Sequence, residues 1–68
     1  MTPKYLFEVF RNMTFFKNIE IESWFPNNSE SIRIRVKNTH EELIFSVKRN
    51  KEWCLETKEH YISRMKGR

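Results

Sequence analysis

Leu6, Val9, Phe10, Met13 and Phe16 recur at intervals of three and four, the spacing of one helical face, with Lys4, Glu8 and Arg11 opposite. Thr2 followed by Pro3 marks the start, because the hydroxyl can accept an orphan backbone N–H and proline at the first helical position gives up none. Phe15 breaks the pattern. At about 100° per residue it falls on the polar side, so the spacing predicts either a helix that ends near Thr14 or an aromatic ring displayed to solvent.

From Ile19 the period changes to two, the mark of a strand with one buried face. Ile19, Ile21, Ser23 and Phe25 are expected to face inward, and Glu20, Glu22 and Trp24 outward. Pro26 to Ser29 supply turn chemistry. Ser31 to Lys37 alternates most cleanly, with Ile32, Ile34 and Val36 inward and Arg33, Arg35 and Lys37 outward. After a turn at Asn38 to Glu41, Leu43, Phe45 and Val47 alternate with Ile44, Ser46 and Lys48. Asn50 is the residue expected to take a left-handed conformation in the next connection, before a short strand with Trp53 and Leu55 inward. Thr57 can cap a last helix striped by Tyr61, Ile62 and Met65, with Gly67 as its stop.

The pattern predicts a single α+β domain over residues 1–68: a helix, a three- or four-stranded antiparallel meander, and a second helix, with both helices on one sheet face. The other face is left open. The expected core comprises Leu6, Phe10, Met13, Ile21, Ile32, Ile34, Phe45, Val47, Leu55 and Ile62. At 68 residues the chain supports one hydrophobic core and no second domain. With 38% hydrophobic and 32% charged residues it has the composition of a folded chain rather than a disordered one.

The single Cys54 can form no internal disulfide, which suits a reducing compartment, and the apolar residues of the first sixteen positions are interrupted by Lys4, Glu8 and Arg11. A cytoplasmic protein with no membrane segment is therefore expected. A formal net charge of +4 permits association with polyanions but is an ordinary solubility charge for a domain of this size.

The materials for catalysis are thin. Cys54, Glu56 and His60 have no spacing that brings a thiol onto an imidazole, and they fall short of the four ligands of a structural zinc site. The only glycine, Gly67, lies near the C-terminus, so no phosphate-cradling loop is present. The expectation is no enzymatic activity, no metal, no cofactor and no small-molecule substrate.

Pairing outward residues across the shortest turns gives three rows: Trp24, Arg33, Lys48 and Glu52; Glu22, Arg35, Ser46 and Cys54; Glu20, Lys37, Ile44 and Glu56. Opposite charges in such rows make a self-compensated solvent face. In functional terms, Trp24 beside Arg33 and Lys48 would form an aromatic and cationic patch. The order helix, strands, helix is similar to that of the double-stranded RNA-binding domain. That family, however, opens its last helix with a lysine cluster and carries a glycine, proline and histidine signature in a sheet loop. Here the helix opens Thr57, Lys58, Glu59, His60, and the loops lack glycine.

The function expected is that of a small binding protein acting through protein–protein contacts, including contacts between copies, with Phe15, Trp24, Arg33, Arg35 and Lys48 as its partner-binding residues. The alternative is a nucleic-acid-binding module that uses the basic strand Arg33, Arg35 and Lys37.

Overall fold

The computed structural model describes residues 2–66, Phe15 by its backbone alone. The chain runs α1 (Pro3–Asn12), a 3-10 turn (Thr14–Phe16), β1 (Ile21–Asn28), β2 (Ser31–Val36), β3 (Glu42–Val47), β4 (Trp53–Thr57) and α2 (Lys58–Lys66). The strands form one antiparallel sheet in the order β1-β2-β3-β4. The α+β class and the helix, meander, helix order are those the pattern predicts, with four strands.

Thr2 caps α1, its Oγ1 accepting the Tyr5 N–H at 3.1 Å, and Pro3 occupies the first turn. Met13 is extended and ends the helix. The chain then makes the 3-10 turn that includes Phe15, whose ring lies outside the described residues, as does the expected stop at Gly67.

Leu6 and Phe10 on α1 pack onto Ile32, Ile34, Phe45 and Val47 as one buried cluster. Phe10 meets Phe45 edge to face at 5.3 Å between ring centres, a geometry that suits the ring quadrupoles. Met13, Phe16, Ile19, Ile21, Trp24 and Leu55 are half-buried against it.

β1 does not keep the alternation its sequence suggests. Ile21 pairs with Val36, but the next regular pair is Ser23 with Arg35, followed by Trp24 with Ile34 and Phe25 with Arg33. Glu22 is thus the extra residue of a bulge, and one extra residue moves every later side chain to the other face. Trp24 accordingly lies on the core face with Ile34, while Phe25, expected inside, is 54% exposed on the other. The strand also continues through Pro26 to Asn28 where a turn was expected; proline is tolerated there because β1 is an edge. Asn28 closes the hairpin, its Oδ1 accepting both the Glu30 N–H and the Ser31 hydroxyl at 2.8 Å.

The β2–β3 pairing is four residues out of the expected register. Val36 N–H donates to the Glu41 carbonyl at 2.8 Å, and His40 takes the left-handed region at φ 59°. Arg33 therefore faces Ile44, and Arg35 faces Glu42, instead of Lys48 and Ser46. The β3–β4 pairs Ile44 with Glu56 and Ser46 with Cys54 are as expected, but Lys51 (φ 68°) rather than Asn50 is left-handed. Asn50 instead uses its side-chain oxygen to accept the Glu52 N–H at 3.1 Å.

The helices do not share one face. By strand alternation Ser31, Arg33, Arg35, Glu42, Ile44, Ser46, Cys54 and Glu56 point away from α1. The contacts of α2 are with that set: Arg64 and His60 reach Glu56, Lys58 reaches Glu42, and Tyr61 is bonded to Asn28. Ile44 is only 1% exposed yet stands apart from the cluster under α1. The sheet is therefore sandwiched between α1 and α2. No residue of α2 is buried, and Ile62, expected in the core, is 39% exposed.

Ile34→Ala should lower the unfolding free energy by about 2 to 5 kcal/mol, the range for a buried aliphatic deletion. Ile62→Ala should cost about 0.5 kcal/mol or less. Urea denaturation of both variants checks the pair, and comparable losses would place Ile62 back in the core.

Candidate functional site

Phe7 sits beside the buried stripe of α1, one residue after Leu6, and so lies at the border between the core and the polar face. Its ring stacks on Trp24 at 4.8 Å between centres and 10° between planes. Arg11, one turn further along α1, places its guanidinium carbon 5.8 Å from the Phe7 ring centre, a cation–π arrangement.

These residues floor an open groove of about 780 Å³ in the seam between α1 and β1, with Lys4, Glu8, Arg11 and Asn12 along its helical side. A second depression shares Phe7, Arg11 and Trp24 and continues past Ile19, Ile21 and Glu22 at the edge of the sheet. The seam is thus aromatic at its base and charged at its rims. It exists because the bulge at Glu22 turns Trp24 toward α1.

Of the expected site residues, Trp24 borders this groove, but it lies on the opposite side of the sheet from Arg33 and Arg35. The row joining Trp24, Arg33 and Lys48 does not form. Arg35 Nε is 3.2 Å from Glu22, and Arg33 is 3.6 Å from Glu42, which also holds Lys58 at 3.4 Å. Both arginines of the basic strand are thereby set against carboxylates of the same chain. Lys37, next on the chain, is exposed. Lys48 lies at the β3–β4 turn and lines a separate small cavity with Asn28, Ser31, Ser46, Tyr61 and Arg64. Phe7 lies off the hydrophobic stripe, so the pattern passes over it; its spacing of four from Arg11 is the signal that could have found it.

The other concentration of chemistry is at Glu56, whose side chain is only 6% exposed. Arg64 Nη2 donates to its Oε1 at 2.6 Å and Arg64 Nε to its Oε2 at 3.3 Å, while His60 Nδ1 lies 2.9 Å from Oε2. The Arg64 hydrogen bonds hold this carboxyl below the ordinary glutamate range against the opposing effect of burial, and His60 adds a smaller contribution in the same direction. Cys54 is exposed on the same side of β4. Among the described residues no group of three or more His, Cys, Asp or Glu is arranged to hold a metal ion. No described helix is long and apolar enough to cross a membrane.

No family model, curated protein or solved structure matches the chain.

Trp24→Ala should destabilise the domain by about 1 to 3 kcal/mol, less than for a fully buried tryptophan because the ring is half-buried. A thermal melt that leaves the midpoint unchanged would return Trp24 to the solvent face. The Glu56 carboxyl gives a second test. Because its folded pKa is depressed, its contribution is present above the unfolded value of 4.5 and is lost as pH falls through the folded value. Stability of the wild type should therefore drop as the pH is taken from about 5 down through the depressed folded value, and Glu56→Gln should flatten that limb while lowering stability at neutral pH. Denaturation measured across that range would reject the assignment if both proteins lost stability in parallel.

Proposed function

We propose that this domain is a non-enzymatic binding module whose α1–β1 groove receives a segment of another protein. The observation that carries the reading is the Phe7–Trp24 stack, which floors an open groove beneath Lys4 and Arg11. Large aromatics with an adjacent arginine are the side chains enriched where binding energy concentrates, because they bury much area at low entropic cost and pair with carboxylates.

The chemistry selects the kind of segment. An apolar or aromatic side chain fits against the stacked rings, and a nearby carboxylate can bond the guanidinium of Arg11. The alternative, a polyanion on the basic strand, has weaker support. Arg33 and Arg35 already face Glu42 and Glu22, and releasing them to phosphates would leave two carboxylates of this chain against the same polyanion.

Panning a random peptide library against the domain should enrich segments that combine an aromatic residue with a neighbouring Asp or Glu. Arg11→Glu should weaken the selected peptides at least about tenfold, while costing the fold about 1 kcal/mol through the lost contact with Phe7 and the reversed charge in the last turn of α1. Peptides that bind wild type and variant equally would place the binding surface elsewhere. Salt-sensitive capture of single-stranded nucleic acid that depends on Arg33 and Arg35 would favour the alternative.

A further inference from the structure

We propose that two copies of this chain pair edge to edge through β4, joining their sheets into one continuous antiparallel sheet across a two-fold axis. This goes beyond the groove reading and does not depend on it, since the groove lies at the other edge of the sheet.

The two edges of the sheet are built differently. β1 carries Pro26, which has no N–H to offer, and its pairing is irregular between Ile21 and Ser23 and again between Pro26 and Asn28. Proline and bulges are the devices that keep an edge strand from accepting another strand. β4 has neither. Its register against β3 runs without interruption from Trp53 opposite Val47 to Thr57 opposite Leu43.

The backbone of β4 is also presented correctly. At the base of its hairpin Lys48 N–H donates to the Glu52 carbonyl at 2.8 Å. Antiparallel alternation then turns Cys54 and Glu56 toward β3, and directs the N–H and C=O of Leu55 outward. A residue with both groups outward can exchange two hydrogen bonds with its own copy across a dyad.

Charge selects a second copy of this chain and the register it takes. A two-fold axis normal to the sheet keeps each face continuous, so the dyad passes through Cys54, Leu55 or Glu56. Centred on Cys54, Glu52 faces the partner's Glu56, and centred on Glu56 that carboxylate faces itself. Like charges directly opposed are destabilising. Centred on Leu55, Trp53 faces Thr57, Cys54 faces Glu56, and Glu52 at the strand entrance faces Lys58 at its exit. Lys58 already holds Glu42 at 3.4 Å but keeps 35% of its side chain exposed, so the ammonium remains open to a further carboxylate. The resulting dimer places both α1 helices on one face and a groove at each far edge.

Sedimentation analysis of the full chain from about 10 µM to about 1 mM tests this together with amide exchange at Leu55. The expected result is a monomer–dimer equilibrium in which Leu55 exchange slows as concentration rises. Glu52→Lys and Lys58→Glu each bring like charges together twice per dimer, and each should weaken dimerisation at least about tenfold. An equimolar mixture of the two variants restores both opposite-sign contacts and should dimerise like wild type. Circular dichroism confirms that each variant is folded, and the Leu55 measurement on wild type needs no variant at all. A wild type that stays monomeric to about 1 mM overturns the proposal, as do variants that dimerise like wild type or a mixture that does not recover. Arg11→Glu should leave the dimer unchanged, so loss of peptide binding and loss of pairing are separate outcomes.

Discussion

Ile32 faces Phe45 and Ile34 faces Leu43 across β2 and β3, and the contents of both sides of the sheet follow from that register. On one side these residues offer α1 a flat apolar surface, which Leu6 and Phe10 cover. On the other the same register sets Arg33 beside Ile44, and β4 then brings Glu56 alongside Ile44. An apolar side chain and a carboxylate are left on a face that α1 cannot reach. Both are buried, so something must cover the first and neutralise the second.

α2 meets that requirement without an apolar stripe of its own. It follows β4 directly at Thr57, whose Oγ1 accepts the His60 N–H at 3.1 Å, so the helix starts beside Glu56 and cannot travel far from it. Arg64 and His60 converge on Glu56, and the Tyr61 hydroxyl reaches Asn28 at 3.4 Å near the other edge of the sheet. The helix is held by charge-assisted bonds and by the stems of long side chains. This differs from the α1 side, where area burial dominates. Acid therefore acts on one layer of the sandwich through the carboxylates that hold α2, Glu56 and Glu42, while core truncations act on the other.

The bulge at Glu22 has the largest functional consequence of any local irregularity. By shifting the phase of β1 it takes Trp24 off the face that holds the basic strand and stacks it on Phe7. It also leaves Glu22 beside Arg35 and 3.7 Å from His40, which neutralises part of the surface a polyanion would need. The same residue thus shapes the aromatic groove and weakens the competing site. A small sheet with irregularities at one edge and a plain strand at the other is asymmetric in what each edge can accept.

Local chemistry was enough to determine the elements: the Thr2 cap and Pro3 start of α1, the alternation of Ile32 and Ile34, the β3–β4 register and the Thr57 start of α2 depend only on residues a few positions apart. The expectation that both helices share a face came from counting apolar stripes, and the three rows of outward residues came from assuming the shortest regular turns. Neither choice is local. The bulge in β1 is decided by which alternative buries Trp24 against Phe7, a residue seventeen positions away, and the side taken by α2 is decided by the need of buried Glu56 for Arg64. A period-two pattern cannot register an inserted residue until the partner strand is in place, and a charge cannot choose its partner until burial makes the choice matter. The strands and helices were therefore legible in the residues, whereas the faces they share, and with them the groove, were set by packing and desolvation in the assembled fold.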